Sequence, residues 1–362
     1  MKLMKTEDAV GQILCQDITQ IIRGGYKGPV FRKGHVITEE DIPVLLSVGK
    51  DNIYIWENDG SLVHENDGAE ILYEISAGQN IRPGDDIKEG KIELFAEIDG
   101  LFKVDREKLL AVNSLGEMMI ASRHGDFPVK AGDKLAGERI IPLAIEKEKM
   151  EKARETVFGR AAEGSENGAL PAAVGGKAAG AGKIFNVLPF HHKKVGIVTT
   201  GNEVYYHRIE DTFTDVVMEK LSEYDTEVIG HELSSDDAEM EISCIRKLLD
   251  TGADMILCTG GMSVDPDDRT PLAIRTVAGG QITYGSPVLP GAMFQLSYYN
   301  NIIPLVGLPG CVMHAKRTVF DLILPRLLAD DPVSREEIAA LGEGGMCLNC
   351  KTCTFPNCGF GK

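Results

Sequence analysis

The sequence Val195-Gly196-Ile197-Val198-Thr199-Thr200-Gly201-Asn202-Glu203 decides the fold class of this 362-residue chain. Its first six residues form a short, apolar, β-branched run. Runs of this kind are typical of parallel strands that are buried on both faces of a sheet. A glycine follows the run directly, so the stretch predicts a strand and then a turn at the start of an α/β domain.

Helical and strand-like patterns alternate along the chain after this run. Apolar residues recur at helical spacing between Phe213 and Tyr224, which predicts a helix there. Further strands are predicted at Thr226–Leu233, Asp254–Thr259, Gln281–Tyr284 and Ile302–Val306. Further helices are predicted at Asp237–Leu249, Pro271–Val277 and Cys311–Leu328. Pro325 should kink or shorten the final turn of the last helix. The alternation predicts a doubly wound, mostly parallel α/β sheet.

The residues before this region show a different pattern. Strand-like segments separated by turn residues are found at Asn52–Trp56, Ile92–Ile98 and Glu117–Ala121. One helix is predicted at Thr38–Val48, with Thr38 as its cap and Gly49 as its end. A charged helix at Ile145–Thr156 precedes the Gly- and Ala-rich stretch Gly159–Gly182, which predicts either a linker or a surface insertion.

These patterns predict four regions. A β-rich domain covers residues 1–145, and a helix with the Gly/Ala-rich linker covers residues 146–190. The α/β domain covers residues 191–330, and a Cys-rich tail covers residues 331–362.

The composition excludes several classes of protein. Lys and Arg number 38 against 55 Asp and Glu, a net charge of −17, so a general nucleic-acid-binding surface is not expected. No apolar run approaches the roughly 18 residues of a membrane span. The first residues lack the apolar core of a signal peptide. We therefore expect a soluble, cytoplasmic protein.

Three predicted strands end in glycine-containing turns. These turns are Thr199–Glu203, Thr259–Ser263 and Gly307–Gly310. Ligands of open parallel sheets bind beyond the carboxyl ends of the strands, where backbone N–H groups and helix N-termini can hold an anion. The three turns together predict a site for a phosphate-bearing ligand. None of them has the spacing of a dinucleotide-binding or P-loop motif.

Carboxylates follow the same strand ends. Asp236 and Glu239 have the spacing of a capping box, and one aspartate of the Asp236-Asp237 pair is expected only to cap a helix. In Asp265-Pro266-Asp267-Asp268-Arg269-Thr270-Pro271, Thr270 is the expected N-cap and Pro271 the first helical residue. These acids could merely favour the helix dipole. Beside a phosphate, however, they would hold Mg²⁺, and we favour this metal or catalytic role.

Several motifs in order resemble one family. These motifs are Thr200-Gly201-Asn202-Glu203, Ser235-Asp236-Asp237, Asp254–Ser263, Val288-Leu289-Pro290-Gly291 and Gly307-Leu308-Pro309-Gly310. With them, the region from about Lys193 to Leu328 resembles the molybdopterin-binding domain shared by molybdopterin molybdotransferase, the molybdenum insertase, and molybdopterin adenylyltransferase. The loop Asp265–Pro271 is more similar to the adenylyltransferase, and Pro290-Gly291 is more similar to the insertase.

The resemblance implies a function and a set of site residues. An insertase cleaves adenylyl-molybdopterin with Mg²⁺ and molybdate, and releases AMP. The resemblance makes Asp268 the main catalytic and Mg²⁺-binding acid and Asp236 the second. It also implies a homo-oligomer, and it assigns binding of the pterin and phosphate to the strand-end loops: Thr200, Gly201, Glu203, Gly260, Gly261, Ser263, Thr270, Pro309 and Gly310.

A second hypothesis is a protein that binds or delivers the cofactor to a molybdoenzyme without catalysis. The insertase carries a further small β domain, for which the residues after Leu328 leave no room, and this favours the delivery hypothesis.

The tail contains four cysteines with the spacing C-x₂-C-x₂-C-x₄-C: Cys347, Cys350, Cys353 and Cys358. Four thiolates this close in a cytosolic protein predict a metal site rather than disulfides. The first three spacings are similar to those of bacterial ferredoxins, which favours [4Fe–4S], although tetrahedral zinc is the alternative. The tail could then serve as a metal-dependent docking or redox module, or make the chain an electron-transfer protein.

Overall fold

The structure is a computed structural model that describes residues 2–22, 25–55, 60–159, 182–263, 265 and 268–362. Its residues form two compact units. Unit 1 contains residues 1–97, 104–123 and 131–186. Unit 2 contains residues 98–103, 124–130 and 187–362. The predicted linker lies almost entirely outside the described residues, as does Trp56.

The first part of the chain contains many short strands, as predicted for a β-rich region. In chain order its elements are β1 (Lys2–Lys5), β2 (Ile18–Ile21), β3 (Lys27–Phe31), α1 (Asp41–Ser47), β4 (Asn52–Ile55), β5 (Leu62–His64), α2 (Glu65–Ser76), β6 (Ile81–Pro83), β7 (Lys91–Ala96), β8 (Gly100–Val104), α3 (Arg106–Asn113), β9 (Met118–Ser122), β10 (Phe127–Val129), β11 (Lys134–Ile140), β12 (Ala144–Glu146), α4 (Lys147–Phe158) and β13 (Phe185–Pro189). The strands β6, β7, β11 and β9 form an antiparallel sheet of unit 1 in this order.

Helix α2 is the main element of unit 1 that the sequence patterns did not predict. Its stretch Asn66-Asp67-Gly68 has the composition of a turn. The structure explains the glycine, because a Cβ at position 68 would lie 2.9 Å from Cγ1 of Ile140 in β11. Gly68 therefore allows the helix to pack closely on the sheet, at the cost of a weaker helical pattern.

The predicted cap of α1 is wrong. The helix begins at Asp41, and its N-cap is Glu40 rather than Thr38. The Asp41 carboxylate accepts hydrogen bonds from the Thr38 N–H and hydroxyl, both at 2.9 Å. Gly49 ends the helix as predicted, with a φ of +76° that disfavours a residue with a side chain.

The second part of the chain alternates strands and helices. Its elements are β14 (Lys193–Thr200), α5 (Asn202–Tyr205), α6 (Phe213–Leu221), β15 (Thr226–Ser234), α7 (Ala238–Asp250), β16 (Met255–Thr259), α8 (Thr270–Ala278), β17 (Thr283–Tyr284), β18 (Gln295–Tyr299), β19 (Ile303–Leu308), a 3₁₀ turn (Gly310–Met313), α9 (Val319–Leu328) and α10 (Arg335–Ala340).

These strands form a six-stranded sheet in the order β15-β14-β16-β19-β18-β17. The first four strands of this order are parallel, and β18 and β17 are antiparallel. One hydrophobic cluster joins the sheet to α6 and α9, and another joins it to α7 and α8. Helices therefore cover both faces, and the predicted doubly wound, mostly parallel α/β fold is confirmed.

The last predicted helix, Cys311–Leu328, is too long. The chain forms a short 3₁₀ turn after Pro309, and α9 begins only at Val319. The reason is a capping box in which the Thr318 hydroxyl and the Asp321 carboxylate satisfy each other's backbone N–H groups. Pro325 lies inside α9, close to its final turn.

No helix in the described ranges is both long enough and apolar enough to cross a membrane.

Candidate functional site

The carboxyl ends of four parallel strands lie side by side in unit 2. Thr200 of β14 is in register with Ser234 of β15, and Thr199 is in register with Thr259 of β16. Thr259 is in turn in register with Leu308 of β19. The turns that follow these strands therefore start from one edge of the sheet, which we call the strand-end site.

Two glycines are required at the centre of this site. Gly260 and Gly261 have φ values of +79° and +54°, which residues with side chains rarely adopt. A Cβ at position 260 would lie 2.1 Å from the carbonyl oxygen of Thr200, and one at position 261 would lie 2.5 Å from the Thr270 hydroxyl. The second turn therefore packs directly on the first, and the hydroxyls of Thr200 and Thr270 occupy the space that a side chain at these positions would need.

The hydroxyls of Thr200 and Thr270 join two of the loops. The Thr200 hydroxyl donates to the Thr259 carbonyl at 2.9 Å and lies 3.1 Å from the Thr270 hydroxyl. Thr270 is the first residue of α8 and Arg269 is its N-cap, so the predicted capping role of Thr270 is wrong. Its buried hydroxyl instead holds the site together.

The adjacent acids Asp236 and Asp237 have different roles. Asp237 is the N-cap of α7, and its carboxylate accepts the N–H of Met240 at 2.9 Å. One aspartate of the pair thus caps a helix as predicted, but the predicted pairing of Asp236 with Glu239 is wrong. Asp236 accepts the N–H of Asn202 at 3.0 Å, so its carboxylate is part of the strand-end site.

Asp268 and Glu241 bring carboxylate oxygens to the same edge. One oxygen of Asp268, Oδ2, is buried and has no hydrogen-bond partner within the described part of the chain. Both carboxylate oxygens of Glu241 are likewise unpartnered there, and this residue is only 1% exposed. Burial raises the pKa of Glu241 to about 8; the nearby Thr270 hydroxyl lowers it, and the charges of Asp236, Asp237 and Asp268 raise it further.

Glu241 is a site residue that sequence reasoning missed. It lies four residues before Ile245 and seven before Leu248, which are both buried. The sequence therefore places a carboxyl group on the apolar face of a helix, which is a usable signal, since buried acids are rare unless they are paired or functional.

Replacing Glu241 by Gln should change how stability depends on pH. In the folded protein the pKa is near 8, well above its value of about 4.5 in the unfolded chain. The folded state of the wild type is therefore most stable below pH 4.5, and its free energy of unfolding falls as the pH rises towards 8. Gln cannot ionise, so at pH 8 the free energy of unfolding of the variant should rise by on the order of 3 kcal/mol relative to that of the wild type. Urea unfolding of both proteins at pH 5 and pH 8 measures this free energy. If the difference between variant and wild type were the same at the two pH values, the prediction would be contradicted.

The remaining predicted residues lie around this centre. Glu203 is exposed in the first turn of α5, beside Gly201. Pro309 precedes the 3₁₀ turn, and a Cβ at Gly310 would meet nothing within 4 Å, so space is available there. Ser263 is exposed. Of the acids between 265 and 268, position 267 lies outside the described residues.

A second polar cluster, also missed, lies beside β14. The Asp211 carboxylate accepts hydrogen bonds from the N–H groups of Phe213 and Thr214 and from the Thr199 hydroxyl, at 2.9, 3.1 and 3.0 Å. Burial alone would raise the pKa of Asp211, but a hydrogen bond from the Thr214 hydroxyl at 2.6 Å, together with these three bonds, holds it below its ordinary value. Nε2 of His231 lies 3.0 Å from the Thr199 hydroxyl. The cluster fixes the strand that ends at Thr200.

The cysteine tail lies elsewhere in unit 2. Cys347 and Cys358 are half-buried against the main hydrophobic cluster, whereas Cys350 and Cys353 are exposed. None of the four forms a disulfide. Among the described residues, no group of three or more His, Cys, Asp or Glu side chains is arranged to hold a metal ion.

The fold and the strand-end site define an α/β domain whose glycine turns and acids meet at one edge of a parallel sheet. Residues 196–329 of this domain match the family model described as probable molybdopterin binding domain. The predicted resemblance to the molybdopterin-binding family is thus confirmed for this stretch. Residues 3–57 match a domain of unknown function, and no curated protein matches the chain.

Three solved structures illustrate the similarity. The molybdopterin biosynthesis enzyme MoaB from Thermus thermophilus is 23% identical, with 38% of this chain and 96% of that chain covered and a TM-score of 0.34. The tungsten cofactor synthesizing protein MoaB from Pyrococcus furiosus is 18% identical, with coverages of 33% and 84% and a TM-score of 0.29. A molybdenum cofactor biosynthesis protein from Pyrococcus furiosus is 12% identical, with coverages of 91% and 63% and a TM-score of 0.25.

Proposed function

We propose that this chain acts in molybdenum cofactor biosynthesis and binds molybdopterin, or its adenylyl form, at the strand-end site. The observation that carries this proposal is the register of β14, β16 and β19, which brings three glycine turns to one edge within a stretch that matches the molybdopterin-binding family. The N-termini of α7 and α8 start from the turns at this edge. Their backbone N–H groups favour a phosphate there.

The proposed reaction is cleavage of the phosphate bond of adenylyl-molybdopterin, with insertion of molybdate and release of AMP. Gly260 and Gly261 would bring the backbone of the turn close to the ligand, because neither residue carries a side chain of its own. Thr200 and Thr270 fix the spacing of the two loops. The contribution of these residues is to position the ligand and to stabilise charge, as in other phosphoryl transfers.

The site residues fit the Mg²⁺ ion that the family resemblance implies. Mg²⁺ prefers carboxylate oxygens together with substrate phosphates, and it would neutralise phosphate charge when bound. The unpartnered Oδ2 of Asp268 and the half-buried carboxylate of Asp236 are the groups that would hold it. Asp236 is already oriented by the Asn202 N–H.

The test is to incubate the full-length chain with adenylyl-molybdopterin, molybdate and Mg²⁺, and to measure AMP and bound pterin in the same sample. AMP release that needs molybdate supports the insertase. Tight binding without AMP release supports the alternative, a protein that binds or delivers the cofactor to a molybdoenzyme. Absence of both binding and release would contradict the proposal. Mass spectrometry of the ligand retained after purification gives an independent answer.

We also propose that the tail holds a metal centre, either [4Fe–4S] or zinc, that serves docking or redox chemistry. The support for this proposal is the spacing of Cys347, Cys350, Cys353 and Cys358. The cytoplasmic location, the homo-oligomer and the domain boundaries derived from the sequence stay predictions.

A further inference from the structure

The cysteine tail is a closed loop that is attached to unit 2 at both ends. At its start, the N–H of Cys347 donates to the Leu289 carbonyl at 2.8 Å. At its end, the N–H of Gly361 donates to the Gly344 carbonyl at 2.9 Å, and Phe360 is only 4% exposed within the main hydrophobic cluster. A frayed tail would have none of these contacts, so the loop has a defined place in the fold.

All four cysteines of this loop line one cavity. The cavity has a volume of about 480 Å³. Its wall also contains Met346, Leu348, Phe355 and Phe360. Four thiols that spread around an apolar-walled space can bind a group larger than one ion.

The cavity distinguishes between the two metal centres that the cysteine spacing allows, zinc and [4Fe–4S]. Tetrahedral zinc with Zn–S bonds of about 2.3 Å requires sulfurs only about 3.8 Å apart. A single zinc ion would fill only a small part of a cavity of about 480 Å³. In a [4Fe–4S] cubane each cysteine binds a different iron, so the four sulfurs lie farther apart and surround the inorganic core. Four cysteines around a cavity fit the cubane.

The charged side chains in the cavity wall also fit a [4Fe–4S] cluster. A cubane with four thiolates carries net negative charge, and the wall contains three cationic residues, Lys316, Arg317 and Lys351. The Arg317 guanidinium lies 5.0 Å from the centre of the Phe355 ring and is bound by Asp321 at 2.9 Å. Asp321 and Glu223 both pair with Arg317 and compensate its charge, so the positive charge that would stabilise an anionic cluster comes from Lys316 and Lys351.

We propose that Cys347, Cys350, Cys353 and Cys358 bind a [4Fe–4S] cluster in this cavity. The inference rests on the proposal that the tail holds a metal centre, and it is independent of the ligand at the strand-end site. It assigns to the chain an iron–sulfur group whose four ligands all come from one loop of 12 residues, 347–358.

The experiment is metal analysis of the full-length chain, purified without oxygen, for iron, acid-labile sulfide and zinc. We expect iron and sulfide in equal amounts, about four of each per chain, with the broad visible absorption of a cubane. Cys353→Ser, at an exposed position, should lose at least nine-tenths of the iron while its far-ultraviolet circular dichroism stays unchanged. Cys311→Ser removes a half-buried thiol that does not line the cavity, and should keep the iron.

Three other results would contradict all or part of the proposal. A colourless protein with zinc would overturn the cluster and leave the tail metal centre standing. A folded protein without iron or zinc, even after reconstitution with iron and sulfide, would overturn both. An equal iron content per chain in Cys353→Ser and wild type would show that the iron is bound outside this cavity. None of these results alters AMP release, which tests the strand-end site separately.

Discussion

Replacing Asp268 by Asn is expected to slow AMP release at least ~100-fold while the affinity for the adenylated pterin changes by less than about threefold. Asn has nearly the same shape but no negative charge. Oδ2 of Asp268 is buried and has no partner in the described residues, so its negative charge is available to a cation that neutralises the reacting phosphate. A loss of rate without a loss of binding would show that this charge acts on the reaction itself.

The matched control is Asp265→Asn in the same loop. Asp265 is exposed, and its interaction with Asp268 is through its backbone carbonyl, which accepts the Asp268 N–H at 3.0 Å. This variant should keep the wild-type rate. Single-turnover AMP release and calorimetric binding are the two measurements. Full activity of Asp268→Asn would remove this residue from catalysis, and equal losses of binding and rate would make it a binding residue.

Replacing Asp321 by Ala should destabilise unit 2 by roughly 3–5 kcal/mol, the usual cost of removing one member of a buried ion pair. The Asp321 carboxylate lies 2.9 Å from Nζ of Lys220, and the Lys220 residue is only 8% exposed. It also accepts the Thr318 N–H at 2.7 Å and binds Arg317 at 2.9 Å. The substitution leaves a buried ammonium group without its partner and removes half of the capping box of α9.

Urea unfolding at neutral pH measures this loss. Glu223→Ala is the control, because Glu223 also binds Arg317, at 3.0 Å, but is largely solvent-exposed. Pairs of that kind contribute about 1 kcal/mol or less. A change below about 1 kcal/mol for Asp321→Ala would show that Lys220 finds another partner or becomes hydrated.

The sheet of unit 2 could be predicted because its strands are buried on both faces. Continuous apolar runs such as 195–200 follow from that burial and are uncommon in half-exposed strands, where polar residues alternate with apolar ones. The positions of single polar side chains could not be predicted in the same way. Asp236 and Asp237 both fit a cap by composition, and only hydrogen bonds decide that Asp237 caps α7 while Asp236 faces Asn202.

The positions of the strand-end turns could be predicted for a related reason. Glycine turns after strands have a strong local signature, and the sheet register brings them together without further information. Glu241 was missed because it belongs to the first turn of α7, where a carboxyl group is normally explained by its favourable interaction with the helix dipole. Gly68 shows the opposite error, since a residue typical of turns is used for close packing of a helix.

Unit 2 includes residues 98–103 and 124–130, which come long before the rest of it in the chain. Phe127 belongs to the same hydrophobic cluster as Phe320 and Phe360, and its ring centre lies 5.8 Å from that of Phe355. A shortened protein made by cutting at residue 187 would therefore lose part of the surface on which the cysteine loop rests. Biochemists who want unit 2 alone should retain the segment from 98 to 130, or supply it as a separate peptide.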